Sequence, residues 1–211
     1  MASNQAEVDW REARRRGARA TIVSSAWDLV REEGLPALSL RMLARRSGIT
    51  TPTVYAYFDS KSAIYDAMFG EAAEDFAKWM AEPVDTGDPV ADLTTDARRF
   101  VEFCVADLPR YQLLFQHTIT GFSPSPQSYA PAVRTLERTR QLLRRSGVSD
   151  PRYLDMWTAL TTGLVNQQIS NEPGGTRWTR LIDDAVRMFM TYCHDPESID
   201  ADQRPVSSGS D

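Results

Sequence analysis

Apolar residues return every three or four positions through most of the chain, and no stretch alternates convincingly with the period of two that marks a strand. Over residues 15–33, Ala18, Ile22, Ala26, Leu29 and Val30 share one face, and Gly34 follows where a left-handed cap closes a helix. Ser39 is placed to cap a second helix bearing Leu40, Leu43 and Ala44, which Gly48 ends. Thr50 or Thr51 caps a third, with Pro52 in its first turn, where an N–H has no helical partner anyway. Ser60 opens a fourth, striped by Ile64, Met68, Ala72, Phe76 and Trp79.

A Pro/Gly/Asp linker, EPVDTGDPVAD, precedes a fifth helix marked by Val90, Leu93, Ala97, Phe100, Cys104 and Leu108 and broken at Pro109. RYQLLFQH predicts a short sixth, TGFSPSPQSYAP a loop, and residues 131–145 a basic-faced seventh. Residues 153–170 predict an eighth and, after NEPGG, residues 178–192 a ninth. The polar stretch 195–211 lacks the apolar content that would order it and is expected to be disordered. The pattern is that of an all-α protein.

Composition narrows the class. The chain has 211 residues, of which 42% are hydrophobic and 25% charged, as in a soluble protein of one large or two small domains. No run approaches the roughly 20 apolar residues that span a bilayer, and the start, MASNQAEVDWREARRRGARA, lacks the apolar segment of a secretion signal. Cys104 and Cys193 lie far apart with no ligand motif beside them, and read as small buried hydrophobes in a reducing cytoplasm. The expectation is a cytoplasmic protein without a membrane segment.

Charge changes the picture more than its total of -5 suggests. Residues 1–65 hold ten Lys and Arg against seven Asp and Glu, a net of +3, so the remainder carries -8. A basic amino-terminal third on an acidic body suits a molecule that faces a polyanion at one end. Catalytic chemistry is not signalled. The patterns H-x-x-x-H, a glycine-rich phosphate loop and G-x-S-x-G are all absent, and His117 and His194 are too isolated for a metal site or a catalytic dyad. His194 reads as the end of a helix, favourably placed in its dipole. No enzyme activity, cofactor or metal is expected.

GITTPTVYAYFDSK, residues 48–61, is the unusual stretch. Helix two, a tight glycine turn and helix three have helix-turn-helix spacing, with Gly48 where positive φ is needed and Ile49 plugging the angle between the helices. Val54 and Phe58 stand four apart and should face the core. That leaves Thr50, Thr51, Thr53, Tyr55, Ala56 and Tyr57 on the outer faces. Hydroxyls exchange hydrogen bonds with phosphates and base edges, so a helix polar without charge suits the major groove of double-stranded DNA.

The run from Ala20 to Phe69 resembles the DNA-binding domain of TetR-family transcriptional regulators throughout its length. Ile22, Ala26, Gly34, Ser39, Leu43, Ala44, Gly48, Tyr55, Phe58, Lys61 and Ile64 fall on the family pattern without a gap. One departure is Pro52, where the family usually has glycine and a backbone N–H beside a phosphate. The resemblance implies DNA contacts from Arg41, Thr50, Thr51, Thr53, Tyr55, Tyr57 and Lys61. Arg14, Arg15 and Arg16 read as a basic arm ahead of helix one, or as a solvated basic tail. It further implies a three-helix helix-turn-helix domain over residues 1–62 and a helical effector-binding and dimerisation domain over 63–194. The function implied is a ligand-responsive regulator, most simply a repressor that leaves a palindromic operator when a small molecule tilts helix four.

Beyond the first third the resemblance is looser. MWTALTTGLVNQQ is similar to a segment of one subgroup that often has a histidine where this chain has Thr162. Phe76, Trp79, Phe100, Phe103, Tyr111, Phe115, Phe122, Trp157 and Gln168 are the candidates for a cavity that takes a largely apolar small molecule. A homodimer interface is expected on the last two helices, from Leu160, Leu164, Trp178, Leu181, Ala185 and Met188. Twofold symmetry would set two recognition helices about one DNA turn apart, roughly 34–36 Å.

Overall fold

Helix starts in this chain are written by side chains that accept a hydrogen bond from a backbone N–H three residues on. In the computed structural model, which describes residues 2–194, Ser39 accepts from Met42 at 3.2 Å and begins α2 (Leu40–Arg46). Thr50 accepts from Thr53 at 3.3 Å and begins α3 (Thr51–Tyr57), with Pro52 in the first turn. Ser60 accepts from Ala63 at 3.1 Å and begins α4 (Lys61–Met80). Each bond satisfies a donor that the helix itself leaves unpaired. Gly34 and Gly48, at φ 82° and 66°, take the left-handed turns that end α1 (Ala2–Glu33) and α2.

Four boundaries differ from the sequence expectation. Helix α1 begins far ahead of residue 15, at Ala2, and its residues 10–14 are exposed, so no buried apolar stripe marks that part in the sequence. Arg14, Arg15 and Arg16 therefore lie on α1, exposed, and not ahead of it. Helix α5 (Pro89–Ala106) stops before Leu108: Asp107 caps α6 (Leu108–Phe115) by accepting from Arg110 at 3.2 Å, and Pro109 sits in the new first turn. Helix α7 (Pro126–Arg145) starts within the expected loop and carries Pro131 inside it. After α8 (Pro151–Asn171), residues 178–192 divide into a short 3-10 turn, Thr179–Leu181, and α9 (Ile182–His194). Among the described residues there are helices and no strands. The stretch 195–211, expected to be disordered, lies outside them.

The described chain forms two compact units. One contains the residues up to Lys78 together with Asp107–Val133. Its core gathers Ile22, Val23, Ala26, Trp27 and Val30 of α1, Leu43 and Ala44 of α2, Val54 and Phe58, and Ile64, Tyr65, Met68 and Phe69 of α4, with Leu113 of α6. The other contains Trp79–Ala106 and the described residues from Arg134 onward. There α5 packs on α8 and α9 around Leu93, Ala97, Val101, Trp157, Val165, Val186 and Phe189. Asp96, buried in this unit, is bound by Arg138 at 2.7 Å, yet burial still raises its carboxyl above the usual range. Cys104 is fully buried and its thiol is pushed up strongly, whereas half-buried Cys193 is pushed up to about 11.

Candidate nucleic-acid interface and effector cavity

Helix α3 presents two faces with opposite character. Val54 and Phe58 point inward and are buried, and Ile49, whose N–H donates to Ala44 at 3.0 Å, closes the corner with α2. The Arg19 guanidinium lies 4.1 Å from the Phe58 ring centroid and donates to the Tyr57 carbonyl, which fixes the end of α3 on α1. The outer face carries Tyr55, 51% exposed, with Thr50 exposed and Thr51 and Thr53 half-exposed. The Thr50 and Thr53 hydroxyls share a hydrogen bond of 2.8 Å. Tyr57 is half-buried, packing against the core on one side.

Basic groups stand on the helices that flank α3 in the chain. Arg41 on α2 is exposed. Lys61 is half-buried at the start of α4, where its ammonium donates to the Pro36 carbonyl at 3.2 Å and lies 5.4 Å from the Tyr65 ring. Arg46 is committed elsewhere: it grips Glu32 with two bonds of 2.5 Å and holds that carboxyl below its usual range. The long α1 adds residues that sequence reasoning left as an arm or a tail. Trp10, Arg11, Arg14 and Arg15 line an open groove of about 730 Å³ whose other wall is Pro52, Thr53, Ala56 and Tyr57 of α3. The arginine run was the available signal; Trp10 had none.

This helical unit has recognisable relatives. Residues 22–68 match the family model described as bacterial regulatory proteins, tetR family. The matched residues run from α1 into α4 and take in the whole helix-turn-helix. It is 32% identical over 88 residues to the uncharacterized HTH-type transcriptional regulator YdeS of Bacillus subtilis, a match covering 41% of this chain and 42% of that one. It is 31% identical over 129 residues to the HTH-type transcriptional regulator Mb1846 of Mycobacterium bovis, covering 57% and 54%. The chain thus spans about half the length of the curated relatives it matches. A TetR-family transcriptional regulator from Streptomyces coelicolor shares the fold at a TM-score of 0.66 and 20% identity, over 88% of this chain and 86% of that one.

The residues expected to line an effector cavity are divided between the two units. In the first, Phe76 meets Phe115 edge-on at 5.3 Å, and Tyr111, fully buried, lies 5.7 Å from Phe115. Phe122 alone of that set lines a cavity of about 490 Å³, with Phe69, Leu113, Leu114, Gln116, His117, Ile119, Pro124, Pro126 and Tyr129. In the second unit Phe100 and Phe103 are half-buried, and Trp157 packs in the core 5.2 Å from Phe189. Trp79 is largely exposed, its indole N–H donating to the Arg99 carbonyl at 2.9 Å. Gln168 is buried and occupied: its amide oxygen accepts from the Trp178 and Thr179 N–H groups, and its NH2 donates to the Glu172 carbonyl. It braces the segment before α9. It does not line the cavity.

The α8 and α9 helices leave an apolar groove of about 460 Å³ formed by Met156, Ala159, Leu160, Met188, Phe189 and Tyr192. Met188 is 63% exposed, while Leu164, Trp178, Leu181 and Ala185 are half-buried. His194 ends α9 with its Nδ1 2.8 Å from the Met190 carbonyl. No group of three or more His, Cys, Asp or Glu among the described residues is placed to hold a metal ion. No described helix is long and apolar enough to cross a membrane.

Proposed function

We propose that the chain is a ligand-responsive, sequence-specific DNA-binding transcriptional regulator. The observation that carries this reading is the outer face of α3, uncharged and hydroxyl-bearing, above the buried pair Val54 and Phe58 in a TetR-family domain. Arg41, Thr50, Thr51, Thr53, Tyr55 and Tyr57 serve as its contacts, with Lys61 neutralising a phosphate. Lys61 spends one of its three donors on Pro36, so two remain for DNA. Pro52 offers no N–H, and the groove arginines Arg11, Arg14 and Arg15 supply compensating charge on the same side.

The regulator works as a homodimer through α8 and α9. Leu160 and Met188 of the expected set border the groove, and Met156 and Tyr192 join them. Two copies paired there form a four-helix contact that places two α3 helices on the half-sites of a palindromic operator. The functional division is a DNA-binding part over residues 1–62 and an effector and dimerisation part over 63–194. A small, largely apolar effector releases the repressor from its operator in the cytoplasm. An electrophoretic shift with the promoter DNA of the chain's own gene, repeated across a salt series, tests the reading. A specific complex that weakens steeply with salt is expected, and equal binding to unrelated DNA would refute it.

A further inference from the structure

We propose that Arg31, Glu32, Arg46 and Asp107 are positioning residues of the helix-turn-helix, joined in a series of two ion pairs that runs from α6 through α1 to α2. This rests on the regulator reading above. The first pair ties α6 to α1. Arg31 donates from Nε at 3.1 Å and from a terminal NH2 at 2.8 Å to one carboxylate oxygen of Asp107. The other oxygen accepts the Arg110 N–H at 3.2 Å, so one side chain both caps α6 and holds it on α1. Arg110 brings in α4 by binding Asp75 at 2.8 Å. The Arg110 and Arg31 guanidinium groups lie 5.2 Å and 5.8 Å from the Trp27 ring. Trp27 is buried, so both cations rest on a fixed core residue of α1.

The second pair leaves α1 one residue later. Glu32 takes two bonds of 2.5 Å from Arg46, the last residue of α2, just ahead of the turn that leads to α3. Two parallel bonds fix direction as well as distance. Consecutive helical residues point about 100° apart, so Arg31 and Glu32 address α6 and α2 from a single turn of α1. The compact unit that holds α2 and α3 also includes Asp107–Val133, so α6 stands with the DNA-binding helices although it lies far beyond them in the chain. Glu32 and Arg46 are exposed, and exposed ion pairs add little to stability. Their role is alignment. Helix α2 has seven residues and buries only Leu43 and Ala44, and a fixed point at its far end limits its swing on α1.

The test uses the full chain with Asp107→Asn, Glu32→Gln and the double variant. Asparagine keeps the cap on α6, so Asp107→Asn breaks the ion pair alone. Circular dichroism melts should move by no more than about 4 °C, as for exposed pairs in a chain of this size. Each single variant should weaken operator binding per folded molecule roughly 2–30-fold. The slope of log K against log salt should stay within about half a unit of the parent's, because no phosphate contact is lost. Acting in series, the two changes together should cost no more than the larger single change. Losses that multiply, or operator affinity unchanged in both single variants, would overturn the proposal. So would tighter binding with a steeper salt slope in Glu32→Gln, since Glu32 would then be withholding Arg46 from phosphates. Hydrogen exchange over α2 gives a reading without DNA: both single variants should exchange those amides about threefold faster, and unchanged exchange would also overturn it. Failure of the unaltered chain to bind operator would sink the regulator reading instead, and hydrogen exchange would still decide the series.

Discussion

If α3 is held by one face and reads DNA with the other, substitutions on the two faces must fail in different assays. Phe58 is almost fully buried, and the Arg19 guanidinium rests 4.1 Å from its ring. Phe58→Ala removes a buried ring, at a cost of about 3–5 kcal/mol. It also removes the cation–π contact, worth about 0.5–2 kcal/mol and partly contained in the first figure. For a chain of this size each kcal/mol lowers the melting temperature by about 2–4 °C, so a fall of roughly 6–20 °C is expected. Tyr55 is 51% exposed, and among the described residues nothing bonds its hydroxyl. Tyr55→Phe should therefore change stability by no more than about 0.5 kcal/mol, while operator affinity falls by about 1–3 kcal/mol. Thermal melts followed by circular dichroism, beside operator titrations by fluorescence anisotropy, separate the two. Were Tyr55→Phe to lower the melting temperature and leave binding per folded molecule normal, the outward facing of Tyr55 would be refuted.

Three further expectations concern other parts of the molecule. Lys61→Ala should flatten the slope of log K against log salt by about two units per dimer with sequence preference retained, and an unchanged slope would exclude a phosphate contact. Met156→Glu with Met188→Glu places charges in the α8–α9 groove and should give folded monomers with weakened operator binding, whereas dimers persisting in sedimentation would move the interface elsewhere. Burial pushes the Tyr65 phenol up to about 12, above an ordinary value of about 10. The unfolded chain thus loses that proton first, and stability should fall as pH rises from about 10 to 12. Chemical denaturation across that range checks it, and Tyr65→Phe should remove this contribution to the slope.

The parts of the fold legible in the sequence are those set by neighbours along the chain. Ser39, Thr50 and Ser60 announce helix starts because a cap acts on an N–H three residues away. Gly34 and Gly48 announce stops because positive φ is a property of one residue. The inward facing of Val54 and Phe58 follows from helical period alone. Where local signals conflict, the sequence misleads: Leu108 continues the apolar stripe of α5, yet Asp107 caps and Pro109 starts a new helix there.

Tertiary structure decided what depends on convergence of distant segments. The aromatic residues that sequence reasoning grouped into one cavity divide between two units, because composition marks apolar side chains and not the neighbours they meet. Phe69 and Phe122 share a cavity although 53 residues separate them, brought together by the packing of α4 against the segment ahead of α7. Gln168 carries an amide that looks available until the N–H groups of Trp178 and Thr179 claim it. A cap needs one turn of chain, and sequence suffices to place it. A cavity needs walls from several elements, so its position is fixed only when those elements have packed.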